Sequence, residues 1–146
     1  MTSPAPRARQ AAAAGKILIV EDEKDLVRLM RRRLEMGGYD VVSAGSAESA
    51  LKLAREAAPA LILLDIELPT MDGLSFLRLL RRESPVPVIL LSGRRSDVDR
   101  IIGLKAGAND YVAKPFSLEE LVARIERHLQ KPRAASREKK RRPAAG

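Results

Sequence analysis

The 146-residue chain has no cysteine and no tryptophan, and it holds one histidine, two tyrosines and two phenylalanines. Without cysteine there is no disulfide, no thiol nucleophile and no Cys-ligated zinc or iron–sulfur centre, which fits a reducing, cytoplasmic compartment. The lone histidine, His128, argues against transition-metal coordination by imidazole and reads as a surface residue near the end of the last helix. Apolar runs are far shorter than the about 20 residues a spanning helix needs, so no membrane segment is expected. Arg7 and Arg9 are followed by no apolar stretch of the kind a secretory leader carries.

What the chain does have is aliphatic bulk and charge. With 45% hydrophobic and 32% charged residues it has the composition of one soluble domain with room for a core, and it is neither collagenous nor wholly disordered. The net charge of +8 is unevenly spread: eighteen of the 27 cations and eighteen of the 19 acids lie between Lys16 and Gln130. The organisation expected is therefore a disordered tail over 1–15, a charge-neutral domain over 16–130 and a basic disordered tail over 131–146. Nucleic acid or another polyanion is expected to bind only through the last of these, by its Arg137–Arg142 cluster.

Within 16–130, short apolar runs alternate with helical spacing. The runs are Ile17–Val20, Val41-Val42, Leu61–Leu64, Val88–Leu91 and Tyr111-Val112. Three of them are continuously apolar, as a parallel strand covered on both faces requires. Between them fall Leu26, Leu29, Met30 and Leu34; Ala47, Ala50, Leu51 and Ala54; Leu74, Leu77 and Leu80; Val98, Ile101 and Ile102; and finally Leu118, Leu121, Val122, Ile125 and Leu129. Gly37-Gly38 and Gly107 lie where helices end, and Ser117-Leu118-Glu119-Glu120 reads as a capping box. Fivefold strand–helix alternation predicts an α/β fold, a doubly wound (βα)5 parallel sheet; with strand order 2-1-3-4-5, one of the common doubly wound arrangements, the third strand would be central.

In such sheets the site lies beyond the carboxyl ends of the strands at the switch point of their order. Glu21 and Asp22 follow the first run, Asp65 the third, Ser92 the fourth and Lys114 the fifth. Taken singly, each has an ordinary reading as a cap, a turn or a surface residue; placed together at four strand ends they describe a site. Three acids that close repel one another unless a cation intervenes, and a hard, oxygen-seeking ion such as Mg2+ suits them. A carboxylate beside Mg2+, a hydroxyl and an ammonium can receive a phosphoryl group: Asp65 as nucleophile, with Lys114 and Ser92 balancing the phosphoryl oxygens. Glu21-Asp22-Glu23 stands where a nucleotide-binding fold would need a glycine-rich cradle. Asp65-Ile66-Glu67 lacks the second Asp of aspartyl-phosphate phosphatases, and the length leaves no room for their cap domain.

The segments Ile19–Asp22, Leu64–Gly73, Leu91–Gly93 and Gly107–Phe116 closely resemble the receiver domain of two-component response regulators, over about residues 16–130. The resemblance implies a flavodoxin-like fold and a regulator rather than an enzyme with a separate substrate, its only chemistry being its own phosphotransfer and dephosphorylation. It implies Asp65 as phosphoacceptor, supplied by a sensor histidine kinase or phosphotransfer protein. Asp22 would ligate Mg2+ directly, Glu21 through water and Glu67 through its backbone carbonyl. Ser92 and Lys114 would hold the phosphoryl group, Lys114-Pro115 would be cis, and Tyr111 would turn inward with Ser92. The output face would be the fourth helix, fifth strand and fifth helix. There Arg100, Asp110, Glu120 and Arg124 match the dimer salt bridges of the OmpR/PhoB-like subfamily, while Asn109 and Glu126 depart from that pattern. The 16 residues after Gln130 are too few for a winged-helix effector, so a stand-alone receiver or the front of a longer regulator is expected.

Overall fold

The computed structural model describes residues 15–68, 71–93 and 97–129, with the backbone alone for 97–99. Five strands, β1 (Lys16–Val20), β2 (Asp40–Ala44), β3 (Leu61–Asp65), β4 (Val88–Ser92) and β5 (Asp110–Ala113), alternate with α1 (Lys24–Met36), α2 (Ala47–Ala57), α3 (Gly73–Arg81) and α4 (Asp97–Lys105). A last helix, α5, covers 118–129. All strand pairings are parallel, in the order β2-β1-β3-β4-β5, which is the doubly wound arrangement read from the sequence. The tails expected at 1–15 and 131–146 fall outside the described residues, Gly15 apart. Among the described residues no helix is long and apolar enough to cross a membrane.

The central strands β1, β3 and β4 are apolar at all but their end residues Lys16, Asp65 and Ser92, because both faces of the sheet are covered. Side chains alternate across a strand, and the core divides accordingly. Ile17, Ile19, Leu61, Leu63, Ile89, Leu91 and Val112 pack with Met30 and Leu34 of α1 and Leu121 and Ile125 of α5. Leu18, Val20, Ile62, Leu64, Val88 and Leu90 pack on the other face with Ala47 and Ala50 of α2 and Phe76, Leu77 and Leu80 of α3. This parity also decides which residues meet beyond the strand ends.

Local signals set the helix boundaries. The Ser46 hydroxyl accepts from Ser49 N–H to open α2, the Asp72 carboxylate from Leu74 N–H to open α3, and the Ser117 hydroxyl from Glu120 N–H to open α5. Gly38 and Gly107 adopt positive φ after α1 and α4, whereas Gly37 does not; α2 instead ends on Ala58 at φ 47°. Gly73 is required for a different reason. A Cβ there would lie 2.6 Å from Ile66 Cα and 2.7 Å from Asp65 O, so only glycine lets α3 start against the chain leaving β3.

Asp110, almost fully buried at the start of β5, fastens α5 to the sheet. Its carboxylate accepts from Tyr111 N–H at 2.8 Å, Arg124 Nη1 at 2.7 Å and Arg127 Nη2 at 3.0 Å, and lies 3.0 Å from His128 Nε2. His128 is thus no surface residue: its side chain is only 14% exposed, because Arg124, Arg127 and His128 share one face of α5 by their i, i+3, i+4 spacing. Asn109, one of the two departures from the subfamily pattern, is used inside the molecule. Its Oδ1 accepts from Val88 N–H and Arg81 Nη2, both at 2.9 Å, joining α3, β4 and the turn before β5.

Two outcomes follow from these contacts. Gly73→Ala should destabilise the fold by about 1–3 kcal/mol, since backbone atoms form the obstacle; an unchanged urea midpoint would show that α3 is not pinned there. Burial pushes the Asp110 carboxyl up, but hydrogen bonds from His128, Tyr111 N–H and Arg124 outweigh it and hold the group below its ordinary value. Asp110 therefore contributes stability that is full above the ordinary carboxylate range and lost as pH falls through the lowered value. Asp110→Asn should cost about 1–3 kcal/mol at neutral pH and flatten the acid limb of stability below about pH 4, read from urea melts across pH.

Candidate phosphoacceptor site

The site grows directly out of strand parity. Glu21 continues the Ile17–Ile19 alternation, Asp65 continues Leu61–Leu63, and Lys114 continues Val112, so all three reach the α1–α5 side at the carboxyl edge of the sheet. The ladder is prolonged to hold them there: Glu21 N–H donates to Ala44 O, Ile66 N–H to Leu91 O and Lys114 N–H to Ser92 O. Lys114-Pro115 is cis, as expected. Lys114 Nζ donates to Glu21 Oε1 at 2.9 Å and stands 3.5 Å from Asp65 Oδ2. Glu21 and Asp65 are 3% and 2% exposed, whereas Asp22 faces solvent. One oxygen from each of Glu21, Asp22 and Asp65 lies within 4.8 Å of the others. An all-oxygen donor set of this kind fits a hard divalent cation.

Burial drives the Glu21 carboxyl above its ordinary value, and the charge of Asp65 adds to this, against the Lys114 hydrogen bond and Glu23 N–H. Burial works to lower the Lys114 ammonium, but the hydrogen bond it donates to Glu21 and the charges of Asp65 and Glu21 outweigh it, so its pKa is raised and the cation is retained. Glu21 has a second task that sequence reasoning missed. The first helix has no side-chain cap at Glu23; instead Glu21 Oε2 accepts from Glu23 N–H at 3.1 Å. An acid placed two residues ahead of an N-cap that is not Ser, Thr, Asp or Asn was the available signal.

Ser92 and Tyr111 belong to the opposite parity. Ser92 continues Val88–Leu90 and is fully buried, and Tyr111 is half-buried against the cluster that contains Leu90. The sheet therefore separates an acid–ammonium group on the α1–α5 side from a hydroxyl–phenol pair on the other, with Asp65 and Ser92 on adjacent strands. Glu67 reaches across the strand ends: its N–H donates to Asp65 Oδ1 at 3.0 Å and its Oε1 accepts from Gly93 N–H at 3.2 Å. Beside Lys114, the half-buried Leu26 and Phe116 and the exposed Leu29 and Pro115 line an open apolar groove of about 380 Å3 between α1 and α5.

Of the four output-face residues, Asp110 and Arg124 are paired with each other, and Arg124 Nη2 also meets Glu120 Oε2 at 3.3 Å. Arg100 lies exposed on α4, beside the exposed Ile101 and Ile102. The structure thus gathers Asp110, Glu120 and Arg124 within one chain, and it adds Arg127 and His128 to that group.

Known proteins carry the same architecture. The family model for the response regulator receiver domain matches residues 17–126. The chain is 44% identical over 121 residues to a protein of Porphyridium aerugineum named "Probable transcriptional regulator ycf27", and 45% identical over 116 residues to its namesake in Porphyra purpurea. These matches cover 83% and 80% of this chain but 50% and 48% of the relatives, so the chain spans about half the length of the curated relatives it matches. The Francisella response regulator 1452 receiver domain superposes with a TM-score of 0.78 at 34% identity, covering 81% of this chain and 98% of that one. The BeF3-activated N-terminal receiver domain of Klebsiella pneumoniae RstA gives 0.76 at 36% identity, covering 79% and 98%. The sheet order, the acids at its carboxyl edge and these matches agree: the chain belongs to the response regulator receiver domain family.

Proposed function

We propose that this chain is a phosphorylation-activated switch of a two-component system in the cytoplasm, with Asp65 as its phosphoacceptor. The observation that carries the reading is a nearly buried carboxylate at the end of the central strand with an ammonium 3.5 Å from its Oδ2. In the transfer, an Asp65 oxygen forms a bond to phosphorus while the P–N bond of a phosphohistidine breaks. The imidazole leaves with the electron pair and takes up a proton. Lys114 and the Ser92 hydroxyl take the phosphoryl oxygens; Lys114 already stands beside the nucleophile, while Ser92 is drawn toward it from the neighbouring strand. The chain acts only on itself, by accepting and losing this group.

Asp22 and Asp65 through carboxylate oxygens, Glu67 through its backbone carbonyl and Glu21 through water would hold Mg2+. Bound there, the ion supplies neutralisation of the negative charge that the phosphoryl group brings, roughly −1.5 to −2 at neutral pH. The donor is a sensor histidine kinase or phosphotransfer protein, and the apolar groove beside Lys114 offers it a surface to cover. Output runs through α4, β5 and α5: Ser92 and Tyr111 share one side of the sheet, and drawing Ser92 toward the phosphoryl group lets Tyr111 turn inward and bias that face toward a partner or a homodimer. Arg100, Glu120 and Arg124 are the polar residues that this contact would reach, with Asp110 holding Arg124 from the buried side. Exposed ion pairs contribute only about 0–1 kcal/mol each, so the exposed Ile101 and Ile102 supply the apolar part. The regulatory role in the relatives' names is consistent with such an output.

Incubation with Mg2+ and acetyl phosphate should give an acid-stable, base-labile adduct of one phosphoryl group, mapped to Asp65 and absent from Asp65→Asn. An adduct that persists in Asp65→Asn would sink the reading. Lys114→Ala should still accept the group, more slowly, but the ring resonances of Tyr111 should no longer change on phosphorylation. A normal Tyr111 response in that variant would remove Lys114 from the switch.

A further inference from the structure

The parallel ladder between β3 and β4 ends in an irregular way. Ile62 N–H donates to Pro87 O and Ile66 N–H to Leu91 O, and the next rung in this pattern would run from Gly93 N–H to Ile66 O. That carbonyl is taken instead by Gly73 N–H, at 2.8 Å, because α3 begins against it. The Gly93 N–H, directly after Ser92, is satisfied by the side chain of Glu67, two residues past Asp65. The same residue's N–H holds Asp65 Oδ1. Glu67 therefore straddles the strand ends, with its backbone on the phosphoacceptor and its carboxylate on the donor next to Ser92.

A backbone N–H at a strand end is a good anion ligand, and charge-assisted hydrogen bonds to it are about twice as strong as neutral ones. In the unmodified protein that donor is occupied by a built-in anion. We propose that the Glu67 carboxylate is a displaceable stand-in for the phosphoryl group: it holds the Gly93 N–H while Asp65 is free and gives it up when Asp65 is phosphorylated. This rests on Asp65 being the phosphoacceptor, and it assigns Glu67 a role separate from its backbone carbonyl. Two consequences have the same sign. The phosphoryl group must displace a carboxylate to gain the amide, and the displaced carboxylate stays close to it, where like charges repel. Both disfavour the phosphorylated state, so Glu67 slows acceptance and shortens the adduct's life. Loss occurs by attack of water on phosphorus, with the aspartyl P–O bond breaking to return the carboxylate and release inorganic phosphate.

The test compares the wild-type chain with Glu67→Gln, which keeps an acceptor oxygen but loses the charge, with Glu67→Ala, and with Glu67→Asp, which retains it. With acetyl phosphate and Mg2+ at fixed pH, Glu67→Gln and Glu67→Ala should raise the initial rate of Asp65 adduct formation or its half-life, with a combined gain of about tenfold in the adduct's steady-state level. Glu67→Asp should fall closer to the wild type. The Gly93 amide resonance should shift on phosphorylation in the wild type and move less in Glu67→Ala, where no anion is replaced. Unchanged urea midpoints alongside these changes would separate the effect from a structural one. Equal rates, half-lives and Gly93 responses in all four proteins would overturn the inference and leave the Asp65 reading standing. Absence of any adduct in the wild type would instead overturn that reading.

Discussion

Two nearly buried carboxylates from neighbouring strands share the carboxyl edge of this sheet, and the ammonium of Lys114 lies between them, 2.9 Å from Glu21 Oε1 and 3.5 Å from Asp65 Oδ2. Breaking a buried ion pair by removing one partner is costly because it leaves an uncompensated charge, so much of the molecule is arranged to keep this group together. The β4–β5 ladder is prolonged by Lys114 N–H to Ser92 O, and the β1–β2 ladder by Glu21 N–H to Ala44 O. The spare oxygen of Glu21 completes the first helix. Site and scaffold are one structure here, since the residues that suit phosphoryl chemistry also close strand ends and a helix end.

The sheet itself divides the labour. Because side chains alternate along each strand, the groups that handle charge reach one side and the pair formed by Ser92 and Tyr111 reaches the other, where α4 lies. Asp65 belongs to the first set and sits one strand away from the second. In the proposed switch, a charge added at Asp65 would act on two surfaces through two short paths: Lys114 toward α1 and α5, and Ser92 toward Tyr111 and α4. The cluster around Asp110 sets a limit on how far the second path extends, since Arg124, Arg127 and His128 fix α5 to the start of β5 within the chain.

The fold was legible in the sequence because its signals are local. Four apolar residues followed by Asp65, the serine caps and the glycines after α1 and α4 each act over a few residues, and a doubly wound parallel sheet followed from the alternation of strands and helices. The convergence of Glu21, Asp65 and Lys114 was legible for the same reason, as each stands a fixed number of residues after a strand. What stayed hidden depends on contacts far apart in the chain. His128 read as a surface residue because nothing near it in sequence announces Asp110, 18 positions away. Asn109 read only as a departure from the subfamily pattern, yet its amide oxygen is committed to Val88 and Arg81. The link from Glu67 to Gly93 arises only because Gly73 takes a carbonyl the ladder would otherwise use, a competition that no motif records.

The central claim is that the acids at the ends of β1 and β3 form a single cation-seeking site built around Asp65. Titration of Mg2+ into the 15N-labelled protein, followed by its amide resonances, tests it most directly. The account predicts saturable shifts confined to Glu21, Asp22, Asp65, Glu67 and their immediate neighbours, with a single affinity that is lost in Asp65→Asn. No saturable change, or one that survives that substitution unaltered, would contradict it.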